Sequence, residues 1–331
     1  MSFIWFDAIK IHYTAAHSVV QILSRESSIF FFVFTYDPFE AGEPMRSILR
    51  LAYRMAAAVL AGTNIERFGP VKRLNHFITS RIGQRVVEID GVTYHLDARD
   101  SLNLSILREF EPVETALMRQ EIKEGDVVVD IGANIGYFTL LFSELVGESG
   151  TVYAFEPDAH NFALLEKNID ANGRTNIRPI CKAVSETTGT SRLFLSSEGG
   201  VDHRMYDSGD GREHIDIETV SLDEYLDPGL KVDFIKMDTQ GSEVLATTGM
   251  QDVLNRSANV KLLTEFWPVG LHRSGTTAEN YIQLLHDSQF TLHDYAEKTR
   301  SWEPARQADL LAAHTVENET FTNLLCRKQN K

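Results

Sequence analysis

Asp130, Gly132, Asn134 and Gly136 stand within a few residues of one another in the stretch VVVDIGANIGYF (127–138), and Glu156 follows in TVYAFEP (151–157). An apolar run that ends in an acid and turns on two glycines reads as a strand feeding a helix. In an open parallel sheet, ligands bind at such strand ends. A glycine there lets the backbone approach a ligand, the helix N-terminus faces it, and an acid at the tip of the next strand can accept the hydroxyls of a ribose. The residue types therefore point to an adenosine-containing cofactor.

Two details argue against a nicotinamide dinucleotide. Its fingerprint is G-x-G-x-x-G, and here Asn134 replaces the middle glycine. Asp130, two residues before Gly132, would also repel a pyrophosphate. A carboxylate there suits a cation instead. S-adenosylmethionine carries an ammonium and a sulfonium and no phosphate, so the acid-rich mouth fits it. Other readings stay open at this point. Asp130 and Glu156 could be helix-terminal acids, worth about 0.3–1 kcal/mol, and the two glycines could be plain turn residues.

Such a site needs a scaffold of strands and helices in alternation. From Asp126 the chain reads strand (126–132), helix (136–147), strand (151–157), helix (158–171) and strand (176–184). Shorter alternating runs follow at 191–196 and 214–222. A strand at 232–238 leads into a helix through about Leu254, then a strand at 260–266, a helix at 277–289 and strands at 290–296 and 321–328. Short apolar strands alternating with helices imply an α/β fold, a mostly parallel sheet with helices on both faces. Ahead of it, RVVEIDGVTYHLDA (85–98) places Asp90-Gly91 between two alternating runs, a hairpin signal, and 112–122 is a helix opened by Pro112. The segment 196–214, rich in Gly and Asp, reads as a mobile surface loop.

Residues 1–84 read as an extension, mainly helical or poorly ordered. MRSILRLAYRMAAAVLAG (45–62) has helical composition, with Arg46, Arg50 and Arg54 on one face. SSIFFFVF (27–34) is far short of the ~20 residues of a spanning helix and reads as a buried strand. Contact of the N-terminus with a membrane surface is the alternative, and no transmembrane segment is expected. The formal net charge of −15 repels phosphate backbones, so no nucleic-acid partner is expected. Cys181 and Cys326 fall in apparent strands and read as buried thiols suited to a reducing cytoplasm. With no CxxC pair and no HxxxH helix face, no metal site is expected.

GDVVVDIGANIGYFTLLFSELVGESGTVYAFEPDAHNFALLEKNI (125–169), KAVSETTG, VSLDEYL and VDFIKMDTQGSEVLATTG together resemble the FkbM family of S-adenosylmethionine-dependent methyltransferases. The resemblance runs from about 86 to 328 and is tightest at 125–171. It implies a class I methyltransferase fold, a Rossmann-like seven-stranded sheet whose last hairpin adds an antiparallel strand. The domain would span 85–331, with a hairpin-and-helix lead-in at 85–124 and a catalytic core at 125–331. The implied activity is O-methyl transfer to a small-molecule or glycan acceptor, a sugar or a hydroxylated natural product.

Carried onto this chain, the resemblance places Asp130, Gly132, Ala133, Asn134 and Gly136 at the methionine end of the cofactor, with Tyr137 and Phe138 flanking it. Glu156 would take the ribose hydroxyls and Pro157 shape the adenine edge, with Lys182 and Ala183 near the adenine. Asp238 would lie beside the methyl group. The family commonly has acid-x-Glu-Gly after that strand, and this chain has Asp238-Thr-Gln240-Gly241. A hydroxyl acceptor needs its proton removed as it attacks, and the candidate bases are Asp238, Glu265 and His272, with His203 and His214 as further options. Trp267 could pack over an acceptor ring, and Arg273 could meet an anionic one. Two other classes compete: a nucleotide-dependent oxidoreductase, and a non-catalytic module that keeps the fold to hold a cofactor or glycan.

Overall fold

In IKIHYT, Ile9, Ile11 and Tyr13 alternate with Lys10, His12 and Thr14, the period of a strand. The computed structural model describes residues 4–6, 9–14, 17–22, 32–34, 47, 50–51, 83–196 and 200–328. It divides into two units, Met1–Gln84 and Arg85–Lys331. The first carries β1 (Ile4–Phe6), β2 (Ile9–Thr14), β3 (His17–Ile22) and β4 (Phe32–Phe34), paired antiparallel in that order. Strands thus stand in part of an extension expected to be mainly helical or poorly ordered, because the β-branched and aromatic alternation outweighs the mixed composition, and β4 lies within the SSIFFFVF stretch read as a strand. Of the helix expected at 45–62, Ser47, Arg50 and Leu51 are helical. The rest, Arg46 and Arg54 included, lies outside the described residues.

The second unit opens with the hairpin β5 (Val86–Ile89) and β6 (Val92–His95). Asp90 and Gly91 take φ of 51° and 80°, the two left-handed positions that the Asp-Gly pair predicts. Two helices follow, α1 (Leu104–Leu107) and α2 (Pro112–Glu121). The alternating core then runs β7 (Val127–Ile131), α3 (Tyr137–Val146), β8 (Thr151–Phe155), α4 (Ala159–Ala171) and β9 (Ile177–Ile180). The chain next leaves the main sheet for β10 (Ala183–Val184), β11 (Gly189–Phe194) and β12 (His214–Val220), which pair in the order β10-β12-β11. The expected strand at 176–184 is therefore broken at Cys181-Lys182, and Cys181 is exposed, not buried; Cys326 is buried.

The remaining elements are α5 (Leu222–Tyr225), β13 (Phe234–Met237), α6 (Glu243–Thr248), α7 (Gln251–Arg256), β14 (Lys261–Phe266), α8 (Pro268–Arg273), α9 (Ala278–Asp287), β15 (Phe290–Ala296), β16 (Ser301–Pro304), α10 (Gln307–Ala313) and β17 (Thr322–Lys328). The single helix expected after β13 is two, because the chain breaks at Gly249, where an added Cβ would meet the Ser185 carbonyl oxygen at 1.9 Å. The main sheet has the order β16-β15-β17-β14-β13-β7-β8-β9. β17 lies antiparallel between β14 and β15, as the family resemblance implies. The sheet has eight strands, not seven. The eighth, β16, pairs only with β15 at the edge and ends in Pro304, a residue edge strands tolerate.

Strand alternation sorts the two faces. Val129, Ile131, Ile235, Met237 and Leu262 enter one core, under α6, α7 and α9. Val128, Phe234 and Leu263 enter the other, with Phe138 and Phe142 of α3, Leu117 and Met118 of α2 and Tyr94 of the hairpin. On this second face, near the carboxyl ends of the strands, the apolar residues give way to Asp130, Lys236 and Glu265. Lys236 pairs in register with Asp130 on one side and Leu263 on the other.

Candidate active site

The β7-to-α3 turn is built on positive φ at Gly132 (83°), Asn134 (52°) and Gly136 (91°). A Cβ on Gly132 would stand 2.1 Å from the Asp238 carbonyl oxygen, and one on Gly136 would stand 2.6 Å from Leu165 Cδ1. Gly132 is thus fixed by the backbone packed against it, and Gly136 by its left-handed φ. Glu156, at the tip of β8, receives the backbone N–H of Asn134 at 2.8 Å on one carboxylate oxygen and that of Asp158 at 2.9 Å on the other. Burial pushes its carboxyl up to about 7 against those two bonds. Asn134 also donates its side-chain N–H to the Gly200 carbonyl at 2.7 Å, as does Asn161 of α4. Gly200, within the stretch expected to be a mobile surface loop, is therefore fastened against the turn. Phe194 and Arg204 form a bridge, and Arg204 is buried.

These residues open on a cavity of about 580 Å³, in the range of small-ligand pockets. Asp130 is fully buried in its wall. Thr139 donates to Asp130 Oδ2 at 2.6 Å, and Oδ1 has no partner among the described residues. Burial raises the Asp130 carboxyl and Lys236 opposes that rise. The Lys236 ammonium lies 3.7 Å from Asp238 Oδ2 and 5.0 Å from the centre of the Phe138 ring. Burial would lower it, but Asp238, Asp130, Glu111 and Glu265 together hold it above its ordinary value. Gln240, itself at φ 52°, donates to Asp238 Oδ1 at 2.7 Å and to Glu265 Oε2 at 3.4 Å. Glu265 is raised well above the usual carboxyl range, by burial and by Asp238, Glu243 and Glu111.

Glu111 enters from the lead-in. It sits at φ 44°, directly before Pro112, a left-handed conformation that costs a non-glycine residue roughly 1–3 kcal/mol. It lines the cavity, and burial pushes its carboxyl up to about 7 while Lys236 pulls it down.

Residues 130–292 match the methyltransferase FkbM domain. The chain carries a methyltransferase FkbM domain. The hexuronic acid methyltransferase AglP of Haloferax volcanii is 26% identical to this methyltransferase over 231 residues, 67% of this chain and 89% of that one. The 31-O-demethyl-FK506 methyltransferase FkbM of Streptomyces tacrolimicus is 42% identical over 73 residues, 22% of this chain and 27% of its own. Among solved structures, a SAM-dependent O-methyltransferase of Thermotoga maritima aligns over 75% of this chain and 79% of its own, at 12% identity and a TM-score of 0.39.

The methyl donor of this FkbM-domain enzyme is S-adenosylmethionine. The orphaned Asp130 Oδ1 fits its ammonium, since a buried unpaired carboxylate oxygen lacks only a donor. The expected cofactor residues Asp130, Gly132, Ala133, Asn134, Tyr137, Phe138, Glu156, Pro157, Lys182, Ala183 and Asp238 all line the cavity; Gly136 does not, and packs against Leu165.

The candidate bases divide. Asp238 and Glu265 line the cavity, whereas His272 is exposed at the last turn of α8 and outside it, as is His214. His203 lines the cavity but its Nδ1 accepts the Ser196 backbone N–H at 2.9 Å, and burial lowers its pKa. Trp267 reaches the wall with the Arg204 guanidinium 5.1 Å over its ring, and Arg273 is exposed. Sequence reasoning missed Glu111, Lys236, Arg204 and Phe321 of this wall. A charged residue inside the apolar run VDFIKMD was the available signal for Lys236.

Proposed function

We propose that this methyltransferase acts on a hydroxyl of a sugar or a hydroxylated natural product, with hexuronic acid residues of glycans as the first acceptors to test. The observation that carries the reading is the acid-lined cavity along the carboxyl ends of β7, β8, β13 and β14. The activity of the Haloferax relative supports the sugar acceptor, and that of the Streptomyces relative supports an oxygen as the methylated atom.

When bound, the cofactor supplies an electrophilic methyl carbon on a sulfonium. Asp130 then holds the ammonium and Glu156 accepts the ribose hydroxyls, with Pro157, Lys182 and Ala183 along the adenine. Asp238, tied by Gln240 and Lys236, fixes the wall beside the methyl group. Glu265, Trp267, Arg204 and Phe321 line the acceptor end. Holding the acceptor oxygen in line with the methyl carbon supplies much of the acceleration. Residues 85–124 belong to the same functional domain, since Phe110 and Glu111 complete the cavity. We place the enzyme in the cytoplasm, where the exposed Cys181 stays reduced; among the described residues no helix is long and apolar enough to cross a membrane.

Calorimetry with S-adenosylhomocysteine tests the cofactor end, and absence of binding at millimolar ligand overturns it. Transfer of labelled methyl from the donor to glycosides of hexuronic acids and neutral hexoses tests the acceptor end.

A further inference from the structure

Asp238, Glu265 and Glu111 line the cavity beside Lys236, and the wall treats the three carboxylates differently. Asp238 has one oxygen bonded by Gln240 and the other beside the Lys236 ammonium. Both oxygens are committed to holding the loop after β13. Glu265 accepts the Gln240 amide at 3.4 Å, and burial together with the acids around it raises its carboxyl well above the usual range, which disfavours the ionised form a base needs. Glu111 alone of the three has no hydrogen bond to its carboxylate among the described residues. Its left-handed backbone before Pro112 is a conformation the chain adopts only against a steric preference. Outliers of this kind cluster where a side chain is held for use. The three carboxylates do not form a metal site: among the described residues no three His, Cys, Asp or Glu come together as ligands.

We propose that Glu111 is the catalytic base of the methyl transfer, receiving the proton of the acceptor hydroxyl from the lead-in wall of the cavity. The inference rests on the hydroxyl-acceptor reading given above. The acceptor oxygen bonds to the methyl carbon as that carbon's bond to sulfur breaks, the electron pair staying on sulfur. The hydroxyl proton passes to a Glu111 oxygen and then to water. Lys236 of β13 faces Glu111 as the counter-charge, while Asp238 after β13, Glu265 of β14 and Glu114 of α2 face it as like charges. Burial, set against that balance of charges, pushes its carboxyl up to about 7, where a general base works best.

The test uses the full chain, methyl-labelled S-adenosylmethionine and a panel of methyl glycosides of hexuronic acids and neutral hexoses. Glu111→Gln should lower kcat about 100-fold or more, with S-adenosylhomocysteine affinity within about threefold of the wild type, which also reports that the variant folds. Glu111→Asp should recover part of the loss. In the wild type, kcat/KM should rise with pH through a midpoint near 7, and this acid limb should vanish in Glu111→Gln. A Glu111→Gln variant within about fivefold of wild-type kcat, or one that keeps the acid limb, overturns the proposal. A wild type that binds S-adenosylhomocysteine yet methylates none of the panel rejects the acceptor reading instead, and the base for it.

Discussion

Gly132 is held by a contact that no side chain could survive. Its φ is 83°, and an added Cβ would stand 2.1 Å from the Asp238 carbonyl oxygen. That carbonyl belongs to the strand end two positions from Lys236, so the β7 turn and the β13 end can only approach through a glycine. Gly132→Ala should therefore destabilise the protein by at least about 2 kcal/mol, from overpacking and left-handed backbone together. Urea unfolding measures this, and an alanine variant of wild-type stability would mean the turn sits elsewhere. In the sequence, Gly132 read as a place for close ligand approach. The glycine was identifiable; its partner was not, because β7 and β13 are neighbours in the sheet and distant in the chain. The same separation hid Lys236 and Glu111. Each acquires meaning from charges on other strands, and a lysine in an apolar run or a glutamate before a proline carries no local mark of what faces it. Asp130 and Glu156 were readable because their strands are adjacent both in sequence and in space.

The lead-in hairpin is fastened to α4 by side chains that act as a strand. Asn172 accepts the Thr93 N–H at 2.8 Å and returns a bond to the Thr93 carbonyl at 2.7 Å. Asn168, one turn earlier, does the same for His95 and also donates to the Ile135 carbonyl in the cofactor turn. One buried amide thus ties together the hairpin, α4 and the β7-to-α3 connection. Asn168→Ala strands the backbone groups of His95 and the Ile135 carbonyl, so it should cost about 1–3 kcal/mol. Amide exchange in 92–95 should accelerate by more than in the core strands, and equal protection would mean the hairpin is held by its apolar face alone. Long periodic elements such as α3, α4, β7 and β8 were plain from their patterns. The break at Cys181-Lys182 was not, since a strand that changes sheets keeps its alternation. Nor was the fastening of Gly200 onto the turn, which depends on Asn134 and Asn161 reaching one carbonyl.

Among the described residues, more carboxylate side chains than cationic ones are buried. Glu111 and Glu156 are pushed up to about 7, Asp100 to about 6, and Asp130, Glu243 and Glu265 upward as well, in each case chiefly by burial. Unfolded carboxyls ionise near 4. Above that value and up to about 7 the folded chain therefore binds more protons than the unfolded one. Stability must then fall as pH rises through this window. Burial of His95, His203 and His314 lowers their pKa values and works in the opposite sense, gaining stability as pH rises toward 6.5. The six carboxyls outweigh three histidines, so without cofactor the melting temperature should be several degrees lower at pH 8 than at pH 6. A bound sulfonium and ammonium favour the ionised carboxylates, which reverses the penalty where it is largest. S-adenosylmethionine should accordingly raise the melting temperature more at pH 8 than at pH 6, and more than S-adenosylhomocysteine, which lacks the sulfonium charge. Thermal melts of the full chain at the two pH values, with each ligand at the same excess, decide the matter. Equal shifts would show that the buried acids are neutralised within the protein, by Lys236 and backbone amides, and that the cofactor's charge is not what the cavity reads.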